Sequence, residues 1–366
     1  MRQWLSVASY LAMFVPILVL IGGHLTGYEW APVLLFFVIY PLTRMVVGDV
    51  SDAQPEWTEK ASKVLGAMPV AYGFCFVGTY FWVLNELSKG DLRSTADNAG
   101  FAVGILVAAA LGACVSHTLV HSRKMGDRRL GSLMLALYGY PFFRAEHMAH
   151  HAMPRHVEAG HCPTLKESMW WFALRRLWTV PIEAMEWSRG VMGRAEKPQM
   201  VDSVWFWCGV SCCSFAAMCW VGGVYGAVNF LVFAVGLPML NSFIVYIQHW
   251  GLGVDNGQPG GIRTQVGWED KCRMQALTTL NLSLHQHHHE RPNAAYFRLE
   301  PAKRGPVLPA GYGVMVLIGL FPPLWRKAML PRLEGWKNDP MGQEGAGKGL
   351  YCVRVARPLQ RAETSQ

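Results

Sequence analysis

Six stretches of this chain run for roughly twenty residues almost free of charge, at 5–23, 28–48, 64–84, 99–121, 204–222 and 224–248. About 20 apolar residues in a helix cross a hydrocarbon core of about 30 Å, so each stretch is long enough to span a bilayer. The second follows the first almost at once, with no small-residue cleavage site between them, and the first therefore reads as a span and not as a signal peptide. Long polar stretches lie between the fourth and fifth segments and after the sixth. The pattern predicts an all-α integral membrane protein of about six transmembrane helices with a polar cap. One membrane-embedded domain would cover residues 1–340, and 341–366, where Gly, Lys, Gln and Ser replace apolar residues, would form a loose C-terminal tail.

Composition agrees, with 52% hydrophobic and only 16% charged residues. Charge adds orientation. The segment 123–197 holds 12 Lys/Arg against 7 Asp/Glu, whereas 86–98 holds 2 against 3. Positive charge accumulates in cytoplasmic loops, which puts this segment, and with six spans both termini, in the cytoplasm, and the protein in the inner (cytoplasmic) membrane. The net charge of +8 then reflects topology and contact with anionic membrane lipid. No basic stripe interleaves with exposed aromatics, so nucleic acid is not an expected partner.

Nine cysteines are present but no CxxC pair, which excludes an attached rubredoxin-type or zinc-ribbon module. Histidine changes the picture more. Thirteen occur, and all but His24 lie at or beyond the end of the fourth span. They cluster as His117 and His121 in SHTLVHSRK, His147, His150 and His151 in AEHMAHHAMPRH, and His285, His288 and His289 in HQHHHERP, with His249 alone in YIQHWGL. Residues three or four apart share a helix face, so each cluster can aim two imidazoles at one ion. Neighbours such as His150 and His151 diverge by about 100° and can serve different ions. Neutral imidazole is the commonest metal ligand. A structural zinc site closes with four ligands, too few to absorb eight clustered histidines, and HTLVH lacks the glutamate of the HExxH hydrolase motif. The lone His24 reads as a hydrogen-bonded structural residue.

The boxes HxxxH, HxxHH and HxxHH resemble those of the membrane fatty-acid desaturase and hydroxylase superfamily. Within it the chain is most similar to the alkane monooxygenase and xylene monooxygenase branch, through YIQHWGL, HHERPNAAYFRL and LPAGYGVMVLIGLFPPLWRKAMLPRL. Only Met148 and Ala149 separate His147 from the HH pair, where the branch has three residues, and Thr118 stands where it commonly has Glu. The resemblance implies two non-haem irons in a cytoplasmic di-iron cap, held by His117, His121, His147, His150, His151, His249, His285, His288 and His289. Glu146 and Glu290, each beside a box, would hold imidazoles from behind or else pair with a nearby Arg at the surface. His156, His161 and His287 would lie behind the ligands or on the surface.

Imidazole suits Fe(II), and two irons can share the electrons needed to cleave O2 for attack on an unactivated C–H bond. The resemblance thus implies a monooxygenase hydroxylating a terminal or benzylic methyl of an alkane, alkylbenzene, terpene or fatty acyl compound. Desaturation of a lipid by the same site, and metal handling without catalysis, are the alternatives. No GxGxxG marks a dinucleotide site, so electrons would come from a soluble rubredoxin- or ferredoxin-type carrier with its NAD(P)H-dependent reductase. Arg123, Lys124, Arg128 and Arg129 either attract such a carrier or mark the cytoplasmic side. Substrate would enter from the bilayer, and Ile105, Leu111, Gly112, Leu240 and Phe243 read either as lining of its channel or as helix-packing residues.

Overall fold

The computed structural model describes residues 2–50, 55–90, 94–152, 162–194, 199–253, 267–302 and 305–338, so the tail over 341–366 lies outside the described residues. Among the described residues the regular elements are all helices, joined by turns and loops and with isolated bridges such as Asp49 to Cys272. Four helices are long and apolar enough to cross a membrane: α1 (Gln3–Thr26), α3 (Glu59–Leu87), α4 (Thr95–Val120) and α8 (Val204–His249). A shorter apolar helix, α2 (Ala31–Val47), carries a π-helical turn at Leu35–Ile39. Side chains cap the starts. Thr58 accepts from the Ala61 amide at 3.4 Å, and Ser94 accepts from the Asp97 amide at 3.1 Å while donating to its carboxylate at 2.8 Å.

α8 holds the fifth and sixth apolar segments, parted at Gly223, whose φ of 54° and ψ of −134° interrupt the helix. A Cβ on Gly226 would fall 1.9 Å from the Met218 carbonyl oxygen. Eight residues of continuous helix would separate those positions by about 12 Å, so the chain folds back on itself. Phe215 and Phe230, ring centroids 5.2 Å apart, face each other across this hairpin. α4 runs through the middle of the bundle, and its Gly112 lets Phe76 of α3 sit where any side chain would collide.

The polar segments build the cap from α5 (Met125–Ala136), α6 (Phe143–Ala152), α7 (Met169–Arg194), α9 (Arg273–Thr278), α10 (His285–Glu290), α11 (Tyr312–Gly319) and α12 (Pro322–Asn338). Hydroxyls tie cap to bundle. Ser116 of α4 donates to the Gly131 carbonyl at 2.8 Å, and Ser211 of α8 to the Ala136 carbonyl at 2.7 Å. Asn281, just before α10, donates to Tyr10 of α1 at 2.8 Å, and Trp336 of α12 belongs to the same buried cluster as Trp250. Both described ends of the chain therefore lie on the cap side. His24 sits at the opposite end of the bundle, its ring nitrogens 3.2 Å from Glu29 and Glu86, a structural bridge as the sequence suggests.

Candidate metal centre

Three helices and one helix end bring the nine box histidines together in two groups. His117, His121, His147, His151 and His288 form one; His150, His249, His285 and His289 form the other, and within each group one ring nitrogen from every residue lies within 4.8 Å of the others. Helix geometry explains the sorting. α6 gives its i,i+4 pair, His147 and His151, to the first group and His150 to the second; α10 gives its i,i+4 pair, His285 and His289, to the second and His288 to the first. The α4 pair completes the first group and His249, at the end of α8, the second. The groups touch through His151 and His289, whose rings are 4.6 Å apart.

The Nε2 atoms form a chain, His121 to His147 at 2.7 Å, His147 to His151 at 2.9 Å and His151 to His288 at 2.9 Å. Each Nε2 has one proton or one lone pair, so hydrogen bonding satisfies at most two of these three contacts. In addition, His117 Nε2 is buried with no hydrogen-bond partner among the described residues. A cation among these atoms satisfies all of them: nitrogens about 2.1 Å from one ion and at right angles to each other are about 3 Å apart. The second group repeats the spacing, His249 to His285 and His285 to His289 both at 2.9 Å. The donor set therefore fits two first-row metal ions with imidazole ligands.

Electrostatics favours the ligating form. Burial, and after it the neighbouring imidazoles, hold His147, His285, His288 and His289 well below the usual histidine range. Burial alone takes His121 down to about 4, and burial with His121 and His249 takes His151 to about 3. These rings stay neutral at physiological pH, as metal binding requires.

Behind the histidines, Glu146 is 2% exposed and accepts from Arg176 of α7 and from Tyr140, with Asn241 of α8 adding a third donor at 3.2 Å. It clamps α6 to two neighbouring helices, the arginine pairing that the sequence allows beside an imidazole partner, but buried and not at the surface. His287 belongs to neither group, and its Nδ1 instead accepts the Glu300 amide at 2.8 Å. Glu290 is exposed and takes a hydrogen bond from Gln286 at 2.9 Å. His156 and His161 lie outside the described residues. The sequence reading missed Tyr140, Arg176, Asn241 and Gln248. The last donates to Tyr312 at 2.8 Å, and its carbonyl takes the Trp268 amide at 2.7 Å, fixing the chain beside His249.

A cavity of about 300 Å³ reaches the histidines from within the bundle. His117, His147, His150 and His285 form its polar end, and Leu106, Val107, Leu111, Leu237, Leu240 and Phe36 its apolar walls. Leu111 and Leu240 line it as expected. Ile105, Gly112 and Phe243 do not: Ile105 is fully buried in the core, Gly112 faces Phe76, and Phe243 packs on Trp170 at 5.3 Å. Of the basic residues, Arg123 and Lys124 are exposed, while Arg129 is held by Asp202 at 3.2 Å and Arg128 by the Ser122 carbonyl at 3.1 Å.

Known proteins resemble this chain in sequence. The chain is 24% identical to alkane 1-monooxygenase 2 of Pseudomonas aeruginosa over 85% of each chain. It is also 24% identical to alkane 1-monooxygenase 2 of Alcanivorax borkumensis over 93% of this chain and 92% of the other. Similarity extends to the hydroxylase component of xylene/toluene monooxygenase from Pseudomonas putida, 25% identical over 61% of this chain and 60% of that one. Residues 97–318, which carry all three histidine boxes and most of the cavity, match the fatty acid desaturase family, and the chain belongs to that family.

Proposed function

We propose that this membrane protein is a non-haem di-iron monooxygenase that hydroxylates an unactivated or benzylic C–H bond of a hydrophobic substrate. The observation that carries the reading is the two histidine groups meeting an apolar cavity, which His117 and His147 of one and His150 and His285 of the other line. Its relatives are named for alkane and xylene/toluene oxidation, and an alkane, alkylbenzene, terpene or fatty acyl compound suits an apolar cavity walled by membrane helices. Two irons in these groups would supply dioxygen activation, with two electrons and two protons, so that one oxygen atom enters the C–H bond and the other leaves as water. His117, His121, His147, His151 and His288 would hold one ion, and His150, His249, His285 and His289 the other. The apolar walls orient the chain of the substrate and keep water from the reacting carbon.

The electrons come, in this reading, from a rubredoxin- or ferredoxin-type carrier with its NAD(P)H-dependent reductase, docking on the cap. The lysine and arginine excess of 123–197 supports a cap facing the cytoplasm, with six crossings of the inner membrane and both termini inside. Reporter tags at each end test this, and a tag accessible from the periplasm contradicts it. For the reaction, labelled dioxygen is decisive. A hydroxylase puts one labelled atom into the product, whereas an unlabelled alkene would establish the desaturase alternative.

A further inference from the structure

The cavity is not uniformly apolar away from the histidines, and one residue in its wall is locked in a single orientation. Asn241 Nδ2 donates to Tyr140 at 3.0 Å and to Glu146 Oε1 at 3.2 Å, using both amide hydrogens. Glu146 is paired with Arg176, and an ionised carboxylate only accepts. A flipped amide would set Oδ1 against that carboxylate, so the assignment of nitrogen and oxygen is dictated by the neighbours. Oδ1 is left as an acceptor that no described residue meets, on a side chain lining the cavity. A pure hydrocarbon filling the cavity would strand this oxygen without water, at the cost of its lost hydrogen bond. A ligand with a hydrogen to donate avoids that cost.

We propose that Asn241 determines specificity by accepting a hydrogen bond from the substrate, so that the cavity takes apolar molecules bearing a hydroxyl group. Resting on the hydroxylase reading, the proposal narrows its substrate class from hydrocarbons to alcohols. Asn241 meets Glu146, which stands beside His147 and one turn before His150 on α6, so the hydroxyl it holds is bound next to the histidines and not by them. A different carbon of the same molecule is then the one attacked, and the product is a diol. One C–H bond becomes C–OH, the second oxygen of O2 leaves as water, and the carrier supplies the two electrons.

The experiment compares n-octane and 1-octanol on the full-length, iron-loaded protein in detergent, both by turnover and by the rise in thermal midpoint on binding. The wild type favours 1-octanol and forms a diol. Asn241→Leu, similar in size and without an acceptor, lowers the ratio of kcat/KM for alcohol over alkane by about 5- to 150-fold, the equivalent of 1–3 kcal/mol. Asn241→Ser, which keeps a hydroxyl for Glu146 and for the ligand, retains part of the preference and stands in if the leucine variant does not fold. Because the ratio is taken within each variant, a merely structural loss of activity leaves it unmoved. An alkane preference in the wild type, or a ratio unchanged in both variants, overturns the proposal. If neither compound is turned over the hydroxylase reading fails, while the binding shifts still decide the role of Asn241.

Discussion

His150 and His151 are consecutive residues on one helix, yet their imidazoles belong to different nitrogen groups, with ring centroids 6.0 Å apart. The turn of about 100° between neighbours on a helix makes one dipeptide serve both sites. His150→Ala and His151→Ala should therefore each abolish turnover, but by vacating different ions. Mössbauer spectra of the two variants should each lose intensity from a different iron. Identical spectra would mean that the two residues serve one site.

The contrast between His249 and His287 tests position in space against position in sequence. His287 sits inside the richest histidine cluster, and His249 stands alone in the chain. The fold reverses their standing, since His249 is 2.9 Å from His285 within the second group while His287 receives a backbone amide from Glu300. His249→Ala should nearly abolish activity. His287→Ala should cost no more than the roughly 10- to 100-fold loss of an outer partner. Full activity in His249→Ala at normal expression would refute the proposed ligand set.

What the sequence made legible was what local pattern determines. Six apolar segments, including the break at Gly223, and the nine histidines that converge all follow from run length and from i,i+3 and i,i+4 spacing. Which imidazole joins which group was not legible, because it depends on how α4, α6, α8 and α10 approach one another. Arg176 lies 30 residues from Glu146 and Asn241 lies 95 residues away, distances over which no periodicity speaks. Ile105, Gly112 and Phe243 were placed on the cavity because an apolar helix face reads the same whether it meets substrate or another helix.

Arg176 and Glu146 form a buried ion pair, both 2% exposed. Breaking such a pair from one side leaves an uncompensated charge and costs about 3–5 kcal/mol. Arg176→Met and Glu146→Gln should each destabilise the protein, and the double variant should cost less than the sum of the two. A double-mutant cycle on thermal or denaturant unfolding measures the coupling. Strict additivity would show that the pair does not act as a clamp on α6.

Glu269 gives stability a dependence on pH. Burial pushes its carboxyl up to about 7 from an ordinary 4.5, against backbone N–H groups of Ala302, His287 and Gln286 and the charge of Lys271. Burial likewise takes Asp270 to about 6, with Arg44 opposing. Between the unfolded and folded values the native state holds more protons, so stability present below about pH 4.5 is lost as pH rises through 7. The slope is at most about 1.4 kcal/mol per pH unit for Glu269. For metal-loaded protein, the fall in thermal midpoint from pH 5 to pH 7.5 should be smaller in Glu269→Gln than in wild type. An equal fall in both would remove Glu269 as its source.

The most direct measurement of the central claim is the metal content of the purified chain alongside its activity. Two groups of five and four imidazoles predict two irons per chain, both needed for oxygen-dependent turnover. One metal per chain, or stoichiometric zinc with no iron-dependent activity, would contradict the account.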